Sequence, residues 1–181
     1  MNGISADKTF QGISIQPHVE PVAVLVKRSS SKSLLDYGCG KAEGYSKITL
    51  KTPDGRSIRG LKAIWGLDEI RLYDPGYAPY SALPTGIYDA VISTDVMEHC
   101  PEEDLPWIIG EIFGYARRFI YVSIACYPAA KSLPDGRNAH ITQRSPGWWV
   151  DLFSHIGRSH PAVRWYVAIF ETPRRLIRAE G

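Results

Sequence analysis

The segment Leu34-Leu35-Asp36-Tyr37-Gly38-Cys39-Gly40 carries an apolar run directly into an acidic residue and then into a Gly-x-Gly sequence. Glycine lets the backbone turn sharply and approach a ligand at a point where a Cβ atom would clash. A helix that starts after such a loop presents unpaired N–H groups to an anionic or polar ligand. The pattern therefore favours a ligand-binding loop at the end of a strand, with a plain glycine turn as the alternative.

Two familiar nucleotide-binding patterns do not fit this loop. The chain has no GxxxxGK[ST] sequence, so a phosphate-cradling loop is not indicated. The dinucleotide pattern GxGxxG also fails, because the third glycine, Gly44, comes one residue too late after Gly38 and Gly40.

Around this loop, strand-like and helix-like segments alternate, which is typical of an α/β domain with a mostly parallel sheet. In such a sheet, ligands bind at the carboxyl ends of the strands. The pattern predicts helices over His18–Lys27, Glu102–Ala116 and Pro146–Ile156, and strands over Ser33–Asp36, Ile70–Tyr73, Tyr88–Ser93, Phe119–Ala125 and Val163–Phe170.

One segment, residues 48–61, departs from this alternation. Two short strand-like runs flank Pro53-Asp54-Gly55, and Asp-Gly between such runs predicts a β-hairpin. We expect the hairpin to be an insertion in the α/β fold.

Length and composition indicate an ordinary globular protein. The 181 residues are 44% hydrophobic and carry a net charge of +2, which fits a single domain over residues 1–181 and gives no argument for a nucleic-acid or membrane partner. Three cysteines without metal-ligand spacing favour a reduced, cytoplasmic setting and no metal. No stretch approaches the length of a membrane span or signal peptide, and the oligomeric state stays open.

Asp36-Tyr37-Gly38-Cys39-Gly40 resembles the first motif of class I S-adenosylmethionine-dependent methyltransferases. The resemblance implies a Rossmann-like methyltransferase fold and a loop that wraps the methionine and ribose of S-adenosylmethionine. It also implies that Asp74, at the end of the second α/β strand and followed by Pro75, binds the ribose hydroxyls. The alternative for Asp74 is a turn-forming residue before Pro-Gly.

A second segment carries the same resemblance. Tyr88–His99 ends in Asp95-Val96-Met97-Glu98-His99, which is similar to the D-V-L-E-H motif of small-molecule methyltransferases. The resemblance adds Asp95 and Val96 to the cofactor-binding residues. Only 13 residues separate Asp74 from Tyr88, so we expect a reduced third-strand region, and the acidic residue that usually contacts adenine is not found there.

The acceptor is expected beside the loop that follows the strand at 119–125. Arg137 and Asn138 offer several hydrogen-bond donors to a small polar or sugar-like acceptor. His140 on this loop and His99 are alternative general bases, because imidazole titrates near neutrality. Trp148-Trp149 offers an apolar wall or a core-packing pair. Residues 1–16 form either a lid in which Phe10 stacks or a packed N-terminal tail.

The resemblance extends to bacterial and phage methyltransferases of unassigned acceptor that share the Asp-Tyr-Gly-Cys-Gly-Lys sequence. Two other functions stay open. Asp74-Pro75-Gly76-Tyr77 resembles the [DN]PP[YF] motif of amino-methylating DNA enzymes, but that motif belongs after the fourth strand, and the near-neutral charge argues against it. A non-catalytic module that binds the cofactor or a partner protein is the other alternative.

Overall fold

The structure, a computed structural model, describes residue 12 and residues 14–181. The chain forms two compact units, the first ending at Thr85 and the second spanning Gly86–Gly181. Both units combine helices with parallel strands, so the protein is α/β as the sequence predicts.

The first unit is built on a pair of parallel strands. Strands β1 (Ser33–Tyr37) and β4 (Glu69–Tyr73) run in register from Ser33 opposite Glu69 to Tyr37 opposite Tyr73. A helix, α1 (Val19–Ser29), precedes β1. Between β1 and β4 in the sequence lie the antiparallel hairpin strands β2 (Thr49–Lys51) and β3 (Ser57–Arg59), followed by the short helix α2 (Leu61–Trp65). Short 3₁₀ turns occupy Gln16–His18 and Ala78–Tyr80.

Helices α1 and α2 contact each other in the first unit. The indole nitrogen of Trp65, at the end of α2, donates a 2.9 Å hydrogen bond to the carbonyl of Val19, at the start of α1. Val22 and Val26, spaced one helical turn apart, lie buried on α1. The apolar face of α1 therefore packs into the core.

The second unit has four strands in the order β5-β6-β7-β8. The first three are parallel and the last is antiparallel to its neighbour. The elements of this unit are β5 (Tyr88–Thr94), α3 (Leu105–Tyr115), β6 (Ala116–Ala125), α4 (Pro146–Gly157), β7 (Arg164–Thr172) and β8 (Arg175–Glu180). All seven residues of β5 are buried, which explains its apolar centre in the sequence.

Helix α4 begins with two local signals that the sequence carries. The Ser145 side chain caps the helix by accepting a hydrogen bond from the backbone N–H of Trp148, and Pro146 occupies the first turn. Trp149 and Phe153, one turn apart, are fully buried on the inner face of α4.

Two sequence predictions about the architecture are confirmed. The hairpin predicted at residues 48–61 is formed by β2 and β3. The described chain between Tyr73 and Tyr88 contains no strand, only the 3₁₀ turn at Ala78–Tyr80, so the third-strand region is reduced as expected.

Three details of the predicted elements are corrected. The glycine loop is followed by turns up to residue 48 instead of a helix, so no helix N-terminus adjoins it. The helix predicted over Glu102–Ala116 splits into a 3₁₀ turn at Glu102–Asp104 and α3, and Ala116 already starts β6. The C-terminal segment forms a strand, β8, that is not among the predicted elements, and its arginines are exposed.

Candidate functional site

The glycine loop of the first unit is held tightly by its own backbone. The N–H groups of Gly38 and Cys39 both donate to the carbonyl of Tyr73, at 2.8 and 3.1 Å. Gly38 has φ +87° and Gly40 has φ +58°, values that favour glycine. The loop therefore needs its two glycines to leave β1 and close against the end of β4.

Asp36 is the most unusual polar group of the first unit. It is 1% exposed, and neither carboxylate oxygen has a hydrogen-bond partner among residue 12 and residues 14–181. Burial, reinforced by the charge of Asp74, raises the pKa of Asp36 well above its ordinary value. A buried carboxyl group without partners is costly unless a ligand satisfies it, so Asp36 is suited to bind a cationic or hydrogen-bond-donating group.

Asp74 links the glycine loop to the turn after β4. One carboxylate oxygen accepts a 2.8 Å hydrogen bond from the N–H of Gly40, and the other accepts one of 2.8 Å from the N–H of Gly76. Asp74 therefore has the turn-forming role that the sequence left as the alternative to ribose binding. Each carboxylate oxygen has a second lone pair, so Asp74 retains acceptor capacity for a hydroxyl ligand.

The remaining residues predicted to bind the cofactor near this loop are Tyr37, Cys39 and Pro75. The Tyr37 ring packs edge-to-face on Tyr73 with 5.0 Å between centroids. Cys39 is buried, and burial together with the nearby charge of Asp36 raises the pKa of its thiol, so the thiol stays protonated and is a poor nucleophile. Pro75 is exposed.

In the second unit, Asp95 follows β5 in a strained backbone conformation. Its φ is +54°, a region that non-glycine residues rarely adopt. The Asp95 N–H donates to Ser123 Oγ at 3.0 Å, and that hydroxyl donates back to the Asp95 carboxylate at 2.8 Å. This reciprocal pair fixes the residue after β5 to a fully buried serine on β6, which offsets the strain.

Glu98, two residues beyond Val96, is fully buried. One of its carboxylate oxygens accepts a 2.9 Å hydrogen bond from the N–H of Ala125, and the other has no partner in the described part of the chain. Burial, with a smaller contribution from the charge of Asp95, raises the pKa of Glu98 to about 8. Glu98 thus connects the 3₁₀ turn at Met97–His99 to the end of β6. At pH 7 its side chain is mostly protonated and neutral.

The structure brings His99 and His140 together. Their rings meet edge-to-face with 4.9 Å between centroids. His99 Nδ1 lies 2.8 Å from the carbonyl of Ala139, and His140 Nδ1 lies 2.5 Å from the carbonyl of Tyr127. Because a carbonyl only accepts hydrogen bonds, both Nδ1 atoms carry a proton, and in a neutral ring Nε2 is then the atom whose lone pair can accept one.

The pKa of His99 lies below its ordinary value, mainly because the ring is buried. The Ala139 carbonyl opposes this shift, and neighbouring His140 adds to it. His99 is therefore neutral at pH 7, the state in which Nε2 acts as a base.

The two predicted acceptor contacts on the loop differ in their surroundings. The side-chain oxygen of Asn138 accepts hydrogen bonds from the backbone N–H groups of Ala129 and His140, both at 2.9 Å. Its side-chain nitrogen donates one of 2.9 Å to the carbonyl of Ala129. It positions the loop and His140. Arg137 is exposed at the loop tip and pairs with Asp135 at 2.7 Å.

The tryptophan pair divides between core and surface. Trp149 is fully buried, which matches the core-packing alternative. Trp148 is half-buried, and the guanidinium of Arg144 lies 5.7 Å from its ring centroid. An apolar wall for a ligand is thus limited to Trp148.

Sequence reasoning did not single out Glu98 or Ser123. Glu98 had a usable signal, because it is an acidic residue between Met97 and His99 in a segment that follows a buried strand. Ser123 had none, since a serine inside an apolar strand is common in any sheet. Phe10 and its predicted stacking lie outside the described residues.

Gly12 lies close against the backbone of the glycine loop and of the turn that follows it. A Cβ built on Gly12 would lie 2.9 Å from the backbone N and Cα of Ala42 and from the carbonyl oxygen of Cys39, and its φ is +71°. Only glycine fits at this position without a shift of the loop.

Two kinds of feature are absent from residue 12 and residues 14–181. No group of three or more His, Cys, Asp or Glu side chains is arranged to hold a metal ion. None of the helices in this part of the chain is long and apolar enough to cross a membrane.

Comparison with protein-family models, curated proteins and solved structures finds no match for this chain.

Proposed function

We propose that the protein transfers a methyl group from S-adenosylmethionine to a small polar or sugar-like acceptor. The observation that carries the proposal is the fully buried, unpartnered carboxyl group of Asp36 at the start of the glycine loop. The α-ammonium of the cofactor's methionine is a cationic donor of the kind that this carboxyl group lacks.

The first unit supplies the residues that would hold the cofactor. Asp36 would bind the ammonium, and Asp74 would accept hydrogen bonds from the ribose hydroxyls while it keeps Gly40 in place. Gly38 and Gly40 would let the backbone of the loop lie close to the ligand. When bound, the cofactor would supply an electrophilic methyl group; an acceptor oxygen or nitrogen would form a bond to this carbon as the C–S bond breaks, with S-adenosylhomocysteine as the leaving group.

The proposed proton acceptor is a histidine side chain. The Nδ1–H of His140 is fixed by the carbonyl of Tyr127, and no hydrogen bond to its Nε2 is found in the described chain. Nε2 of His140 takes the proton that the acceptor loses, with the neutral His99 as the alternative base. Asn138 holds the backbone of His140 and so positions this base.

The direct test is incubation of the full chain with S-adenosylmethionine that carries a deuterated methyl group. Products are then screened by mass spectrometry over sugars, amino acids, small phenols and oligonucleotides. We expect labelled methyl transfer to a small acceptor, and its loss in the Asp36→Asn variant. Transfer to oligonucleotides alone would replace the small acceptor with a nucleic acid, and a chain that binds neither the cofactor nor S-adenosylhomocysteine would overturn the proposal.

A further inference from the structure

The basic residues of this chain are unevenly distributed. Residues 41–62, the hairpin and its two flanks, contain six basic and two acidic side chains. The whole chain has a net charge of only +2. The near-neutral total therefore conceals a basic segment of the first unit.

The hairpin separates its side chains onto two faces. In β2 and β3, Leu50 lies opposite Ile58, and both are half-buried. The neighbouring positions point to the other face because side chains alternate along a strand. There Thr49 lies opposite Arg59 and Lys51 lies opposite Ser57, and all four residues are exposed. We name these four residues the hairpin face.

The hairpin face repeats one chemical unit twice, a cation beside a hydroxyl group. Lys51 and Arg59 are diagonal neighbours across the two strands, a relationship that separates their Cα atoms by about 7–8 Å. Arginine, lysine, serine and threonine are side chains that commonly contact the phosphate and sugar of nucleic acids.

The cations at and beside this face are mostly not neutralised. Arg56 at the turn pairs with Asp54 at 2.6 Å, but Lys47, Lys51, Arg59 and Lys62 have no ion pair within the described chain. The Arg59 Nε donates to the carbonyl of Ser46 at 3.1 Å, which orients its guanidinium without removing its charge. All four side chains are exposed.

We propose that the hairpin face, with Lys47 and Lys62 beside it, binds the phosphate backbone of a nucleic acid. The choice of a nucleic acid as the partner rests on charge complementarity, because repeated cation and hydroxyl groups suit a polymer with regularly repeated phosphates. Contacts to phosphate and sugar carry no sequence information, so binding through this face is independent of base sequence. The surface does not depend on the proposed methyl transfer, and the bound nucleic acid need not be the acceptor.

The test is fluorescence anisotropy of labelled RNA and DNA oligonucleotides, single-stranded and duplex, titrated with the full chain without cofactor at 50 to 200 mM salt. The wild type should bind with an affinity that falls as salt rises. The double variant Lys51→Gln/Arg59→Gln should bind roughly tenfold more weakly at low salt. Its log–log salt slope should be shallower by about 1.4 to 1.8, because two phosphate contacts are lost.

The matched control is Lys27→Gln/Arg28→Gln, which removes the same two charges from exposed positions on α1 of the same unit. Equal loss of affinity in both double variants would overturn the proposal, because it would show a response to net charge alone. Absence of salt-dependent binding by the wild type would overturn it too, as would tighter binding to polyglutamate or to vesicles containing phosphatidylserine. Thermal melts of both variants establish that the fold is retained, and a Lys47→Gln/Lys51→Gln variant replaces the first if Arg59→Gln unfolds the hairpin.

Discussion

The backbone N–H of Gly40 donates a 2.8 Å hydrogen bond to the carboxylate of Asp74, 34 residues further along the chain. This bond ties the glycine loop after β1 to the end of β4. It gives Asp74 a task in shaping the loop in addition to the ribose contact that the resemblance implies.

Replacement of Asp74 by alanine should therefore weaken binding of S-adenosylhomocysteine by roughly 1–3 kcal/mol, because both a loop contact and a charged acceptor are lost. Isothermal titration measures the affinity, with Asp68→Ala as the control because Asp68 is an exposed carboxylate on the same unit. An Asp74→Ala affinity equal to that of the control would rule out a role for Asp74 in binding.

Glu98→Gln should change the pH dependence of stability. The pKa of Glu98 is raised to about 8 in the folded protein, so the unfolded chain ionises first and the wild type loses stability between about pH 4.5 and 8. The loss is at most about 1.4 kcal/mol per pH unit. Glutamine keeps an oxygen for the N–H of Ala125 but cannot ionise, so the variant should gain stability over the wild type as the pH rises.

Urea unfolding at pH 5, 6, 7 and 8 measures this difference. Glu103→Gln serves as the control, since Glu103 is exposed. A Glu98→Gln difference that stays constant over this range would mean that Glu98 is ionised throughout.

The histidine pair makes a prediction about turnover. His140→Ala and His99→Ala should leave cofactor affinity close to the wild-type value, and at least one should lower kcat by ~10²–10⁴-fold, the range for loss of a general base. The exposed His155 on α4 provides the control, His155→Ala. Because the pKa of His99 is lowered, a profile that depends on His99 as the base should be flat above pH 7. Full turnover in both variants would leave positioning as the whole source of catalysis.

Gly12→Ala should destabilise the protein more than Gly55→Ala. Both glycines have positive φ, +71° and +83°, but a Cβ on Gly12 meets backbone atoms at 2.9 Å, whereas one on Gly55 meets nothing within 4 Å. A positive φ strains both alanine variants. The difference between their losses in unfolding free energy therefore reports the contact that a Cβ at residue 12 makes with the loop. Equal losses in the two variants would show that residue 12 does not pack there in solution.

The sequence predicted most elements because their signals are local. Asp54-Gly55 marked the hairpin, and Pro146 marked the first turn of α4. Strand β8 was not predicted, because only its pairing with β7 makes this segment a strand. The helix expected after Gly40 is absent, since turns fill the chain up to residue 48.

The candidate site was predictable in its residue types but not in its contacts. Residue spacing gave no indication that Asp36 lacks hydrogen-bond partners, because that depends on burial by the whole unit. Likewise, the approach of His99 to His140 joins positions 41 residues apart through the path of the intervening loop. Asn138 looked like an acceptor contact, yet its amide bonds Ala129 and His140.

The most direct test of the account is calorimetric titration of S-adenosylhomocysteine into the full chain and into its Asp36→Asn variant between pH 6 and 8. The wild type should bind, and its affinity should rise with pH toward the raised pKa of Asp36, because the carboxyl group must lose its proton to pair with the ammonium. Asp36→Asn should bind roughly 10- to 150-fold more weakly, the loss expected for a hydrogen bond to a charged group. Absence of binding by the wild type, or equal affinity of the two proteins, would contradict the account.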